Sequence, residues 1–181
     1  MTNTINIQEH TGEIVDQILE GELPENIRSE GVQSATEAFD SLETDVKLAV
    51  LYYLYEAMGE SVTPAAPGAA GVELSQSFFD EFNALPFGDA QLDAMRSLLR
   101  GDDNSLCRHY GILGENNKLV IWYFLAERMG KDVVGIPQDY ALSEAGNSSL
   151  ESVKQLDFEQ QITFLRDVAS AMGKETLQRA T

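Results

Sequence analysis

Two thirteen-residue segments, Lys47 to Gly59 and Lys118 to Gly130, constrain the fold of this chain more than anything else in it. Laid on one another at a constant offset of 71 residues, seven of the thirteen positions are identical: Lys, Leu, Tyr, Leu, Glu, Met and Gly. Each contains a stretch that is apolar nearly all the way round a helix, Leu-Ala-Val-Leu-Tyr-Tyr-Leu-Tyr from Leu48 and Leu-Val-Ile-Trp-Tyr-Phe-Leu-Ala from Leu119. A helix with one apolar stripe can lie on a surface, whereas one apolar on every side has to sit at the centre of the packing. A duplicated central helix implies duplicated surroundings, so the sequence predicts an all-α fold of two pseudo-symmetric helical bundles sharing one core.

The remainder reads as helices too, at about 33 to 41, 43 to 58, 72 to 85, 89 to 100, 105 to 113, 116 to 129, 148 to 154 and 158 to 172, with no alternating strand pattern. Gly59, Gly101, Gly130 and Gly173 follow helical patterns where a residue free to take positive φ can close the last turn. Between Val62 and Gly71 a Pro, Ala and Gly segment continues no helix and lacks the Ser and charge of a flexible linker, which predicts a packed connection. Residues 1 to 30 read as an N-terminal extension with a short amphipathic stretch at Ile14, Ile18 and Leu19, and residues 31 to 181 as one helical domain.

The formal charge of −18, from 30 acidic and 12 basic side chains, argues against nucleic acid and anionic lipid as partners. The densest basic group, Arg96, Arg100 and Arg108, is interrupted by Asp102 and Asp103. One cysteine, Cys107, cannot close an internal disulfide, which fits a reducing compartment. The first residues lack a charged, then apolar, secretion signal, and no apolar run approaches the ~18 residues that span a bilayer. The expectation is a cytoplasmic protein without a membrane span.

Chemistry-bearing constellations are few. With only His10 and His109, a di-iron bundle built on two Glu-x-x-His motifs is excluded, since Ile7 and Leu106 stand at the Glu positions. Cys107 and His109 are two apart on an expected helix and face different ways, which argues against a nucleophile and base pair. Asp102, Asp103 and Asn104 lack the following ligands of a calcium loop and read as a helix cap. Asn147-Ser148-Ser149 reads as a helix start. No phosphate or dinucleotide loop occurs, no metal site is expected, and the chain is not read as an enzyme.

Aromatic residues crowd the two central helices: Tyr52, Tyr53 and Tyr55 in one, Trp122, Tyr123 and Phe124 in the other. They fit either of two readings, ordinary core or two aromatic walls across a groove that suits a flat, conjugated, apolar ligand.

Several segments carry a resemblance. Leu48-Ala49 through Met58-Gly59, Ala65-Ala66-Pro67-Gly68-Ala69-Ala70, Leu106-Cys107-Arg108, Lys118-Leu119 with Trp122-Tyr123, Ile136-Pro137 with Tyr140, and Gln160-Gln161-Ile162-Thr163 with Leu165-Arg166 are similar to the N-terminal domain of the cyanobacterial orange carotenoid protein, in order and spacing over about 33 to 173. The light-sensing second domain of that family is not in this chain, which resembles the stand-alone helical carotenoid proteins. The resemblance implies a ketocarotenoid ligand, canthaxanthin, echinenone or similar. It implies that Tyr55 and Trp122 enclose a terminal ring, with Leu48 and Leu51 beside it. Met95, Leu119, Tyr123, Ile136, Pro137 and Tyr140 are further contacts in that alignment. Tyr52 replaces the family's usual tryptophan, Ala126 stands where glycine is common, and Arg96 where a small thiol is common. Arg166 matches the arginine that bridges to the second domain in two-domain relatives, and so becomes a candidate partner contact.

What the resemblance implies for function is photoprotection, as a singlet-oxygen quencher or carotenoid carrier, near thylakoid membranes. A homologue of the second domain is the expected pigment donor, and the protein is expected to be a monomer or weak homodimer. The alternative is a module that docks on the phycobilisome antenna and quenches its excitation.

Overall fold

The computed structural model describes residues 29–58, 70–131 and 141–174. All regular structure among them is helical, in order α1 (Glu30–Asp40), α2 (Thr44–Met58), α3 (Ala70–Asn83), α4 (Asp89–Arg100), α5 (Ser105–Gly111), α6 (Glu115–Lys131), α7 (Glu144–Lys154) and α8 (Phe158–Ala171). Residues 1–28 of the proposed extension, residues 62–69 of the Pro, Ala and Gly segment, and Gly59 lie outside the described residues; Glu30, read as the end of the extension, already begins α1, and Gly71 lies in α3.

Side chains fix the helix starts. Ser29 caps α1, Asn104 Oδ1 accepts from the Cys107 amide at 2.9 Å to start α5, and Asp157 with Gln160 forms a reciprocal capping box on α8. The reading of Asn104 as a cap therefore holds. Two sequence expectations need correction. The helix assigned from Ser148 begins at Glu144, because Ser143 accepts the Gly146 amide and supplies the cap. Gly146 reads locally as a helix breaker, yet it is there for close approach: a Cβ on it would come within 2.8 Å of Val46 Cγ1 on α2. Gly130, expected to end its helix, lies inside α6, which runs on to Lys131.

The packing is two-fold. One bundle comprises α1, α2, α7 and α8, from both ends of the chain, and the other comprises the continuous run α3 to α6. In the first, α1 packs on α7 and α8, and α7 on α8; in the second, α5 packs on α3 and α4, and α3 on α4. The pairing of α2 with α7 has its counterpart in α6 with α3, that of α2 with α4 in α6 with α8, and α2 meets α6 on the pseudo-axis.

The repeat also reaches beyond the thirteen residues that reveal it. At the same offset of 71, α1 and α5 end at Asp40 and Gly111, and α2 and α6 begin at Thr44 and Glu115. The buried Phe39 of α1 has Tyr110 of α5 as its counterpart. Lys47 Nζ lies 5.7 Å from the Phe39 ring centroid, and Lys118 Nζ lies 5.3 Å from that of Tyr110. The same cation–π contact is thus built twice. A single core runs through both bundles and includes Phe39, Phe78, Phe82, Phe164, Tyr110 and Trp122, each almost fully buried.

Candidate functional site

The site is assembled where α2 and α6 meet. On α2, Leu48, Leu51, Tyr52 and Tyr55 recur at i, i+3, i+4 and i+7, a single stripe. On α6, Leu119, Trp122, Tyr123 and Ala126 repeat that spacing, each 71 residues after its counterpart. Leu48, Leu51, Leu119, Trp122 and Ala126 are buried, while Tyr52, Tyr55 and Tyr123 are half-buried at the edge of the core. Tyr55 and Tyr123 meet edge to face across the two helices, with ring centroids 6.1 Å apart. Met95 is fully buried on α4, which packs against α2. Ile136, Pro137 and Tyr140 lie outside the described residues.

The two stripes differ where size matters. Trp122 has Leu51 as its pseudo-symmetric counterpart, and Tyr55 has Ala126. Trp122 and Tyr55 both lie close enough to Tyr110 to act on its phenol, which puts the two large aromatic groups at one end of the contact. Tyr55 Oη and Trp122 Nε1 are buried and have no hydrogen-bond partner among the described residues. Burial, reinforced by the neighbouring Tyr123, pushes the Tyr55 phenol well above its ordinary range and keeps it a donor. An unsatisfied buried donor costs about 1–3 kcal/mol, so two such groups at one place make it a candidate site.

Tyr110, which sequence reasoning did not single out, stands behind this end. Its Oη donates to the Ala169 carbonyl of α8 at 2.5 Å, joining the second bundle to the first. Burial raises its phenol too; the Trp122 indole is near enough to oppose part of that shift without completing a hydrogen bond, and Tyr55 adds to it. The signal in the sequence was the offset: Tyr110 is the counterpart of a core phenylalanine and carries a hydroxyl that the copy lacks.

Arg96 and Arg166 show the same asymmetry in charge. Met95-Arg96-Ser97-Leu98 on α4 and Leu165-Arg166-Asp167-Val168 on α8 share one burial pattern, buried, half, half, buried. Arg96 forms a fork with Asp45 of α2 at 2.7 and 3.1 Å and reaches Asp93 at 2.8 Å, and both carboxylates raise its basicity. At the mirrored contact of α8 with α6, Asn116 stands in place of Asp45 and Thr163 in place of Asp93. Arg166 Nε and Nη2 are accordingly buried and without a partner among the described residues.

Elsewhere the reading of separate roles for Cys107 and His109 holds. Cys107 is buried and its thiol pushed up by that burial, whereas His109 bridges Glu81 and Ser77 of α3 at 3.1 Å each. No cluster of three His, Cys, Asp or Glu residues able to hold a metal occurs among the described residues. No helix among them is long and apolar enough to cross a membrane.

Residues 25–175 match the family described as Orange carotenoid protein, N-terminal. The chain belongs to that family. An orange carotenoid-binding domain-containing protein of Nostoc sp. strain PCC 7120 is 43% identical over 149 residues, 82% of this chain and 86% of that protein. The orange carotenoid-binding protein of Synechocystis sp. is 36% identical over 155 residues, 84% of this chain but 48% of the relative, so the chain spans about half the length of that protein. Among solved structures, the red carotenoid protein of Anabaena (Nostoc) sp. PCC 7120 binding canthaxanthin superimposes with a TM-score of 0.67 at 36% identity, covering 80% of this chain and 99% of its own. The all-helical, two-bundle architecture read from the repeat is the architecture of this family.

Proposed function

We propose that this protein holds a ketocarotenoid between its two bundles, one terminal ring between Tyr55 and Trp122, and serves in photoprotection as a singlet-oxygen quencher or carotenoid carrier. The observation that carries the reading is the aromatic end itself: two large rings from two packed helices, each with a buried polar atom that has no partner among the described residues. A conjugated ring bearing a carbonyl fits both properties, apolar faces for stacking and an acceptor for the donors. The membership of the family and the canthaxanthin-binding neighbour give the ligand class. Leu48, Leu51, Met95, Leu119, Tyr123 and Ala126 line the polyene in this reading, and Tyr52 adds a half-buried edge. Ile136, Pro137 and Tyr140 are carried by the resemblance alone.

Burying several hundred Å² of polyene at about 25 cal/mol per Å² supplies on the order of 10 kcal/mol, against association costs of roughly 4 kcal/mol or more. When bound, the pigment supplies excited-state quenching, taking up the excitation of singlet oxygen and releasing it as heat. The chain's own residues exclude water and hold the pigment; none of them is asked for acid, base or nucleophilic catalysis. Loading with canthaxanthin and recording singlet-oxygen phosphorescence tests this. Decay that is faster with holoprotein than with apoprotein at equal concentration is expected, and equal decay defeats the quenching role.

Arg166 favours a second element. A half-buried guanidinium lacking the two acids its counterpart Arg96 enjoys suits a carboxylate from another protein, such as a homologue of the family's second domain delivering pigment. Antenna docking is the competing role for the same group. A fall in phycobilisome fluorescence on adding holoprotein, lost in Arg166→Leu, would select the antenna over the donor.

A further inference from the structure

We infer that Tyr110 is a positioning residue for the aromatic end: without lining the pigment itself, it sets the placement of Trp122 and ties that placement to the chain segment Met172 to Lys174. The inference rests on the pigment reading above for its optical consequence, though not for its geometry.

Three contacts hold Tyr110 from three directions. Its Oη is anchored on the Ala169 carbonyl of α8. Its face lies under Lys118 Nζ at 5.3 Å, and Lys118 is one turn before Trp122 on the same face of α6. Its edge abuts the backbone of Gly173, where an added Cβ would come within 2.5 Å of Tyr110 Cδ1 and 3.1 Å of the Cys107 carbonyl. Gly173 has φ +79°, which an L side chain rarely adopts.

That segment is itself fastened across the bundles. The Gly173 amide donates to the Leu98 carbonyl at 2.8 Å, the Lys174 amide to the Cys107 carbonyl at 2.9 Å, and Gly101 approaches so closely that a Cβ there would meet the Gly173 oxygen at 2.9 Å. A displacement of residues 172 to 174 therefore reaches the Tyr110 ring directly, and Tyr110 passes it to the α6 face that carries Trp122. In the other half, Phe39 has the ring, the lysine and an edge-to-face neighbour in its own bundle, Phe164 at 5.7 Å as Tyr110 has Phe78 at 6.0 Å, but it has no hydroxyl. The hydroxyl that spans the bundles exists only beside the aromatic end.

Tyr110→Phe keeps the ring and removes the anchor, and Phe is the residue the fold already uses at the mirrored place. Trp122 is the chain's single tryptophan, so intrinsic fluorescence of the apoprotein reports its surroundings alone. In Tyr110→Phe the emission shifts from wild type, the visible band of the canthaxanthin-loaded protein broadens and moves to the blue, and pigment dissociates about threefold to tenfold faster, the range one hydrogen bond supports. Gly173→Ala, which pushes on the ring instead of releasing it, moves the same readouts further. Phe39→Leu lowers the melting temperature and leaves the band in place. Emission and band both superimposable on wild type in Tyr110→Phe would overturn the inference, as would an equal band shift in Phe39→Leu. If wild type takes up no pigment, the functional reading fails while the apoprotein fluorescence still decides the role of Tyr110.

Discussion

The half built around α2 and the half built around α6 share helix boundaries, packing partners and a lysine lying over a buried aromatic ring, and they diverge at the contact between them. There the first half offers Leu51, Tyr55 and Phe39, and the second offers Trp122, Ala126 and Tyr110. What is common to both halves follows from folding: capped helices, an apolar central helix and a shared core. What differs is what folding does not require. A core satisfied with phenylalanine at residue 39 gains nothing obligatory from a phenol at 110, and a bundle held by Arg96 and Asp45 does not need its copy to leave Arg166 Nε and Nη2 without a partner among the described residues. Departures from internal symmetry therefore separate function from architecture in a single chain.

Making the second half more like the first is the most severe way to break the comparison. Trp122→Leu copies Leu51, removes one wall of the aromatic end, and is expected to lose the pigment band together with about 2–3 kcal/mol of stability in urea unfolding. Phe164→Leu, a fully buried position in the opposite half outside the stripe, also lowers stability and leaves the pigment band in place.

Alkaline unfolding sharpens the same contrast. Tyr55 and Tyr110 are both raised by burial above their ordinary range, so their contribution is fully present below about pH 10, where unfolded tyrosine is neutral, and is lost as pH climbs toward the folded values. The melting temperature of the apoprotein should fall steeply above that pH, and less steeply in the double variant Tyr55→Phe with Tyr110→Phe.

Asn116→Asp gives Arg166 the acid that Asp45 gives Arg96. An increase of about 1 kcal/mol is expected, together with weaker binding of any carboxylate-bearing partner, and Asp45→Asn should cost about 0.5 kcal/mol because that pair is partly exposed. Comparable with that last loss, Lys47→Met should lose about 0.5–1 kcal/mol, and Lys118→Met somewhat more, because the buried Lys118 ammonium also donates to the Ser170 carbonyl at 3.4 Å.

Much of the fold was legible because its signals are local. Helix positions followed from apolar spacing and caps, and the repeat announced the two-fold packing. The misassigned start of α7 and the glycine at 146 show the limit: close approach of Gly146 to Val46 joins residues a hundred positions apart, and no window of sequence contains both. The site was legible only in part. Tyr52, Tyr55, Trp122 and Tyr123 stood out by residue type, whereas Tyr110, Asn116 and Gly173 have unremarkable local patterns and acquire meaning only beside their counterparts or across the bundles. Arg166 was identified by resemblance, while the reason its Nε and Nη2 find no partner among the described residues came from the missing acids at 116 and 163.

The central claim is that the asymmetric, aromatic end of the α2 and α6 contact holds the pigment. The visible absorption spectrum of the protein purified from cells that make a ketocarotenoid tests it most directly, with Tyr55→Ala and Trp122→Ala alongside. The account predicts a broad, red-shifted band that co-elutes with the wild-type protein and fades in both variants. A folded, helical and colourless wild-type protein, or a band unchanged by either substitution, would contradict it.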